Sequence, residues 1–206
     1  MHDDDYYLKF ETGFSKHGDE PNVLDFSVTL RKYSVSDDGG GTVLAGLNGF
    51  LVQPGHLPER DDQWYFAVFD MRSGHSMEAF RVLADERKLL EKAIKPSASW
   101  DDCGAVAHLE RVWVDPSLRG RGVALRLMRE AQHVLGRYGL LVILKAHPDG
   151  DDVSDAECLK LATYYQSDKQ LGFAPVSKRK HPGWLLAVWH EPVVRAGDLA
   201  FFYEDD

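Results

Sequence analysis

Cysteine is scarce in this chain. Cys103 and Cys158 are the two in 206 residues, far apart and in no paired motif. A disulfide framework is excluded, and a soluble cytoplasmic protein with free thiols is the expectation. Positive charge is also short: 24 Lys and Arg stand against 33 Asp and Glu, a formal net charge of -9. That argues against nucleic acid as the main partner, because phosphate binding needs a basic face. Part of the acid is terminal, at Asp3, Asp4 and Asp5 and at Glu204, Asp205 and Asp206, and such runs read as solvated tails. No apolar run is long enough to span a bilayer, so no membrane contact is expected. The opening MHDDDYY is acidic where a secretory signal is positive and then apolar. Internal repeats, low-complexity tracts and composition breaks are missing too, so one domain over 1–206 is expected.

What is present is a core. With 44% hydrophobic and 11% aromatic residues the chain folds as a globule. VLDFSVTLRKY (23–33) alternates, with Leu24, Phe26, Val28 and Leu30 on one side, which predicts a strand with one wet face. SDDGGG (36–41) predicts a turn, and VLAGLNGFLVQ (43–53) the return strand of a hairpin. WYFAVFD (64–70) reads as a central strand and YYLKF (6–10) as an edge strand. The spacing of Met77, Phe80, Leu83, Ala84, Leu90, Ala93 and Ile94 predicts a helix over 76–94 with Ser76 as N-cap. KPSASWDD (95–102) reads as a loop. Further strands are expected at 105–114, 140–146 and 184–190, and helices at 121–138 and 156–167, with an acidic loop over 147–155. This order indicates a mixed α/β sheet with helices packed on it.

Where the strand 105–114 gives way to a helix stands VDPSLRGRGVALRLM (114–128). A helix N-terminus exposes unpaired amides and carries about half a positive charge. Gly120 and Gly122 let a ligand approach that backbone closely. Five arginines (111, 119, 121, 126, 129) accompany one acid, Asp115, between 111 and 129, a basic island on an acidic chain. The pattern predicts a specific anionic ligand. The P-loop pattern fails for want of Lys-Ser or Lys-Thr, and the dinucleotide fingerprint fails at Leu125.

RGRGVA resembles the R/Q-x-x-G-x-G/A signature of the GNAT superfamily of acetyl-CoA-dependent N-acyltransferases, carried by Arg119, Gly122 and Ala124 and approached through Val114, Pro116 and Arg119. LATYYQSDKQLGF (161–173) resembles that superfamily's A-x-x-[YF]…GF segment, through Ala162, Tyr164, Tyr165, Gly172 and Phe173. The gap from Tyr165 to Gly172 is a few residues longer than usual. The likeness covers about 105–190, which would be the acetyl-CoA-binding core. Residues 1–100 depart from it, since the family places two helices between its first two strands and a hairpin stands there here. The resemblance implies a twisted, mostly antiparallel sheet with helices on both faces and a splayed central strand pair. It further implies that Arg119, Gly120, Arg121, Gly122, Val123 and Ala124 hold the CoA pyrophosphate, and that Val112, Trp113 and Val114 lend backbone groups to the pantetheine arm.

The family reaction is direct attack of an amine on the acetyl thioester, which needs a base, a donor at the developing oxyanion and an acid for the thiolate. Strand alternation places His108, Glu110, Val112 and Val114 on one side, with Trp113 on the other. Glu110 is the candidate base, or the partner of a nearby arginine; His108 is its competitor, or a half-buried strand histidine. Tyr165 is the candidate acid, since a phenol and a thiol have similar pKa values, and Tyr164 is the alternative. His147 reads as a loop residue, and Arg126 and Arg129 as solvated. H-x-E also opens the zinc deaminase signature, but that requires a P-C-x-x-C which the chain lacks, so no metal is expected. The expected activity is acetyl transfer from acetyl-CoA to a primary amine of a small cationic molecule or of a protein. The alternative is a non-catalytic CoA-binding sensor. Many relatives pair through sheet edges, so a homodimer is a further expectation, with AFFYEDD (200–206) as a candidate element.

Overall fold

The structure is a computed structural model and describes residues 6–17, 20–34, 41–52, 62–85, 105–136, 140–150, 152–177 and 179–189. Among these, seven strands form one sheet in the order β1-β2-β3-β4-β5-β7-β6. The strands are β1 Tyr6–His17, β2 Glu20–Ser34, β3 Thr42–Val52, β4 Ala105–Val114, β5 Leu140–Lys145, β6 Ala174–Ser177 and β7 His181–Trp189. Neighbours are antiparallel except β4 and β5. Helices α1 Asp62–Asp70 and α2 Gly74–Asp85 come between β3 and β4, α3 Val123–Leu135 links β4 to β5, and α4 Asp155–Gln166 follows β5.

Apolar spacing decides which helix covers which face. Val123, Leu127, Met128, Ala131 and Leu135 recur at threes and fours and press α3 onto Phe26, Val28, Leu30, Ala45 and Leu47, beside Ala162 and Tyr165 of α4. Burying one such side chain, as Leu127 is at 0% exposure, stabilises by about 2 kcal/mol. The other face carries Val68 and Phe69 of α1 and Ala79, Val82 and Leu83 of α2 against Phe50, Leu141, Ile143 and Trp184. With both faces covered, β5 is apolar throughout LLVIL, as a parallel strand must be. The mixed α/β fold, its mostly antiparallel sheet and its helices on both faces are as the sequence implied.

Three local expectations are corrected, and one strand is added. Residues 64–70 belong to α1, not to a central strand. Val68 and Phe69 are inside while Phe66 is 45% exposed, a one-sided burial that a helix satisfies. Ser76 is no N-cap, since α2 starts at Gly74 and buries Ser76 completely. Strand β6 was not foreseen, being short and carrying Pro175 at the edge of the sheet. Alternation in β4 also breaks. Gly49 pairs with Leu109 and Asn48 with Arg111, leaving Glu110 as the extra residue of a bulge. Glu110 therefore shares the α2 side with His108, while Val112 and Val114 pack on the α3 side. The loop expected over 95–102, residues 86–94 of the expected helix, and the segments 1–5, 35–40 and 200–206 lie outside the described residues.

The parallel ladder between β4 and β5 joins Ala105–Leu109 to Leu140–Leu144. Past it, residues 110–114 of β4 pair with β3, and β5 turns to β7 at Lys145. The two central strands part there.

Candidate active site

Beyond β4 the chain makes a short 3-10 turn at Pro116–Leu118. Asp115 caps it, accepting from Ser117 N at 2.9 Å and Ser117 Oγ at 2.6 Å. Arg119 folds back so that its Nε donates to Val114 O at 3.2 Å. Gly120 and Gly122 then take φ values of 73° and 74°, a conformation that costs an L-residue about 1–2 kcal/mol. Gly122 is the N-cap residue of α3 and has no side chain with which to cap the helix. A Cβ built on either glycine meets nothing within 4 Å. Leading amides, open space and a helix dipole thus coincide, the arrangement that attracts an anion.

Two adjoining cavities extend from this turn and share Val114, Arg119, Ala124, Leu161 and Tyr164 in their walls. The first, about 470 Å³, runs beside Gly120, Gly122 and Val123. The second, about 390 Å³, occupies the parting of β4 and β5, with Glu110, Val112, Trp113, Lys145 and Tyr165 around it. Arg121 is exposed and lines neither. Trp113 covers Gly46, where a Cβ would come within 2.5 Å of its indole Nε1.

Glu110 stands at the inner end of the second cavity. Ser76 Oγ donates to its Oε1 at 3.1 Å, and Arg72 Nη2 lies 3.6 Å from Oε2. The arginine that accompanies Glu110 is thus Arg72, from the turn between α1 and α2, and none of the five near the glycine turn. Arg72 Nη2 also donates to Asp25 Oδ1, and its guanidinium lies 4.0 Å above the Phe50 ring. The bulge that aims Glu110 depends on Gly49, whose Cβ would stand 2.3 Å from His108 O and 2.7 Å from the Phe26 ring.

His108 is fully buried between Phe50, Phe69, His75 and Trp184, with neither ring nitrogen hydrogen-bonded among the described residues. Burial, then the nearby His75 and Arg72, push its pKa down to about 3. Tyr165 is 7% exposed, and burial drives its phenol far above the usual range. Tyr164 is half-buried and borders both cavities. Burial raises it too, while a backbone hydrogen bond from Leu125 at the start of α3 works the other way.

The basic island is partly committed elsewhere. Arg129 grips the buried Asp168 through Nε and Nη2, both at 2.6 Å, and Arg126 lies over Phe10. Arg111 Nη2 lies 3.7 Å from Asp149. His147 is exposed beside Pro148 O. Sequence reasoning missed Arg72 and Asp25 and misread Ser76; the tertiary turn that brings them to Glu110 has no local signature. Among the described residues no group of three or more His, Cys, Asp or Glu is placed to hold a metal ion, and no helix is long and apolar enough to cross a membrane.

The acetyltransferase (GNAT) family model matches residues 58–161, half of the 206-residue chain. The protein belongs to this family. The sequence matches no curated protein. Among solved structures, arylalkylamine N-acetyltransferase 2 from Aedes aegypti is similar at 14% identity and a TM-score of 0.42, over 80% of this chain and 73% of that one. A polyamine N-acetyltransferase of Drosophila melanogaster gives 15% and 0.40, over 81% and 74%. The AtaTR structure bound with AcCoA gives 16% and 0.37, over 81% and 68%.

Proposed function

We propose that this protein transfers the acetyl group of acetyl-CoA to a primary amine, within a single cytoplasmic domain. The observation that carries the reading is the course of one groove. It starts at the first turn of α3 beside two left-handed glycines and ends at a carboxylate where the central strands part. The residues present fit the coenzyme. Gly120, Gly122, Val123 and Ala124 would hold its diphosphate with Arg119, and Val112, Trp113 and Val114 would offer backbone groups to its arm. When bound, it supplies an acyl group activated as a thioester.

Glu110 accepts the proton of the attacking amine, directly or through water, as the C–N bond forms and the C–S bond breaks. Ser76 and Arg72 orient that carboxylate. His108, at about 3, is too weak a base for neutral pH. A tyrosine of α4 returns a proton to the departing thiolate. Of the pair, Tyr164 is the better placed, because it reaches both cavities and its oxygen is held at the positive end of α3. Tyr165, the first candidate, is largely enclosed by the core.

Acetyl-CoA raises the melting temperature of a protein that binds it only when folded. Gly122→Trp fills the seat in front of the amides and abolishes that rise. A shift of unchanged size in the variant, or thiol release from acetyl-CoA with no amine in a broad panel, overturns the assignment.

A further inference from the structure

The two cavities of the groove differ at their far ends. Of the pair, Glu110 lines only the second, whereas Gly120, Gly122, Leu118, Glu157 and Lys160 line only the first. At about 470 Å³ the first is also the roomier, against about 390 Å³ for the second. It opens between the turn before α3 and the helix α4. Two cations stand in its lining. Arg119, anchored by Nε on Val114 O, borders both cavities and so belongs to their junction. Lys160 is exposed on α4 and enters no ion pair among the described residues. Its acidic neighbour Glu157, one turn back, is drawn toward the start of α4, where Oε2 accepts from Ser154 N at 3.0 Å and Ser154 Oγ at 2.7 Å. The arginines of α3 are engaged elsewhere, Arg129 with Asp168 and Arg126 over Phe10, and Arg121 lines neither cavity.

We infer that the first cavity seats the nucleoside end of acetyl-CoA and that Lys160 reads its ribose 3′-phosphate, making the protein selective for coenzyme that carries this group. The inference rests on the coenzyme reading above and adds to it a determinant of which donor is taken. Acetyl-CoA is linear, with the thioester at one end, then the pantetheine arm, the diphosphate, and ribose and adenine at the other end. A thioester at Glu110 and a diphosphate beside Gly122 commit the arm to the second cavity. The first is what remains for the nucleoside, and Leu118, Val123 and Leu161 give it aliphatic walls. A phosphate monoester carries about two negative charges at neutral pH. A lysine ammonium meets it as a compact charge on a flexible stem, and Lys160 has no ion pair to give up. Arg119 does not supply this discrimination, because every form of the coenzyme has the diphosphate that it faces. Exposure to water limits the gain to the scale of one charged hydrogen bond.

Calorimetry on the whole chain with CoA and with 3′-dephospho-CoA tests this, since the two ligands differ only in that phosphate. Wild type binds CoA about tenfold more tightly. Lys160→Met brings the ratio of the two dissociation constants close to one and leaves the affinity for dephospho-CoA as it was. Lys160→Arg keeps most of the preference, because the charge is kept. Arg121→Met leaves the ratio where it stands. A wild-type ratio near one, or a ratio untouched by Lys160→Met, overturns the inference and leaves the coenzyme reading intact. A ratio that collapses in Arg121→Met instead assigns the phosphate to Arg121 and ends the role of Lys160. Should neither ligand bind wild type nor raise its melting temperature, the coenzyme reading itself fails, and Lys160 falls with it.

Discussion

Ser76 Oγ donates to Glu110 Oε1 at 3.1 Å, joining the buried side of α2 to the bulge of β4 across 34 residues of sequence. Ser73 Oγ stands 2.9 Å behind that hydroxyl. A proposed base held so closely responds to loss of its holder. Glu110→Gln lowers kcat by about 10²–10⁴-fold, and Ser76→Ala by about tenfold, the scale of one hydrogen bond to a charged group. Both leave the acetyl-CoA thermal shift in place. Thiol-release kinetics beside melting curves check this, and a Glu110→Gln variant with wild-type turnover removes the carboxylate from the chemistry.

The two tyrosines separate by burial. Tyr164→Phe lowers kcat by about 10²-fold with little change in melting temperature. Tyr165→Phe keeps the ring in its core position and costs much less activity. Tyr165→Ala empties that position and destabilises by about 3–5 kcal/mol. Denaturant titration and steady-state rates on the three variants rank them; the opposite order of kcat values restores Tyr165 as the acid.

Arg129 and Asp168 form a two-pronged pair whose carboxylate is 2% exposed. Asp168 Oδ1 also accepts from the amides of Gln170 and Leu171, at 3.0 and 3.4 Å. Arg129→Met leaves that buried charge without its cation and costs about 3–5 kcal/mol. Asp168→Asn in the same background recovers part of the loss. Urea denaturation of the single and double variants measures both.

His108 makes stability depend on pH. Its folded value, about 3, lies below the ordinary 6.5, so the unfolded chain takes up the proton first. The contribution is complete above pH 6.5 and fades as pH falls toward 3, by about 1.4 kcal/mol per pH unit. At pH 5 the loss is about 2 kcal/mol relative to pH 7. Denaturation at the two values shows it, and His108→Phe removes most of the difference.

What the sequence made legible follows physical range. The glycine turn was readable because positive φ, an N-terminus and apolar spacing are all settled within fifteen residues. Strand β2 was readable from its alternation, β3 as the return strand after a turn, and β5 as a short apolar run. WYFAVFD was not, because a short apolar run suits a buried strand and a buried helix turn equally. Glu110 was singled out as a carboxylate on an apolar strand, but the alternation that put Val112 and Val114 on its side fails. A bulge is a property of two strands in register, and β4 alone does not reveal it. Arg72 and Asp25 entered only through tertiary contact, 38 and 85 positions from Glu110 along the chain.

Gly49 decides more than its own conformation. Because its missing methyl would collide with His108 O, the slip between β3 and β4 exists by leave of β3, and with it the orientation of the carboxylate beside it. Transplanting residues 105–124 into another sheet would therefore carry over the proposed anion seat and the Glu110 carboxylate, but not the slip that orients it. The smallest residue in the neighbouring strand belongs to the heredity of this chemistry as much as the arginines and glycines that announce it.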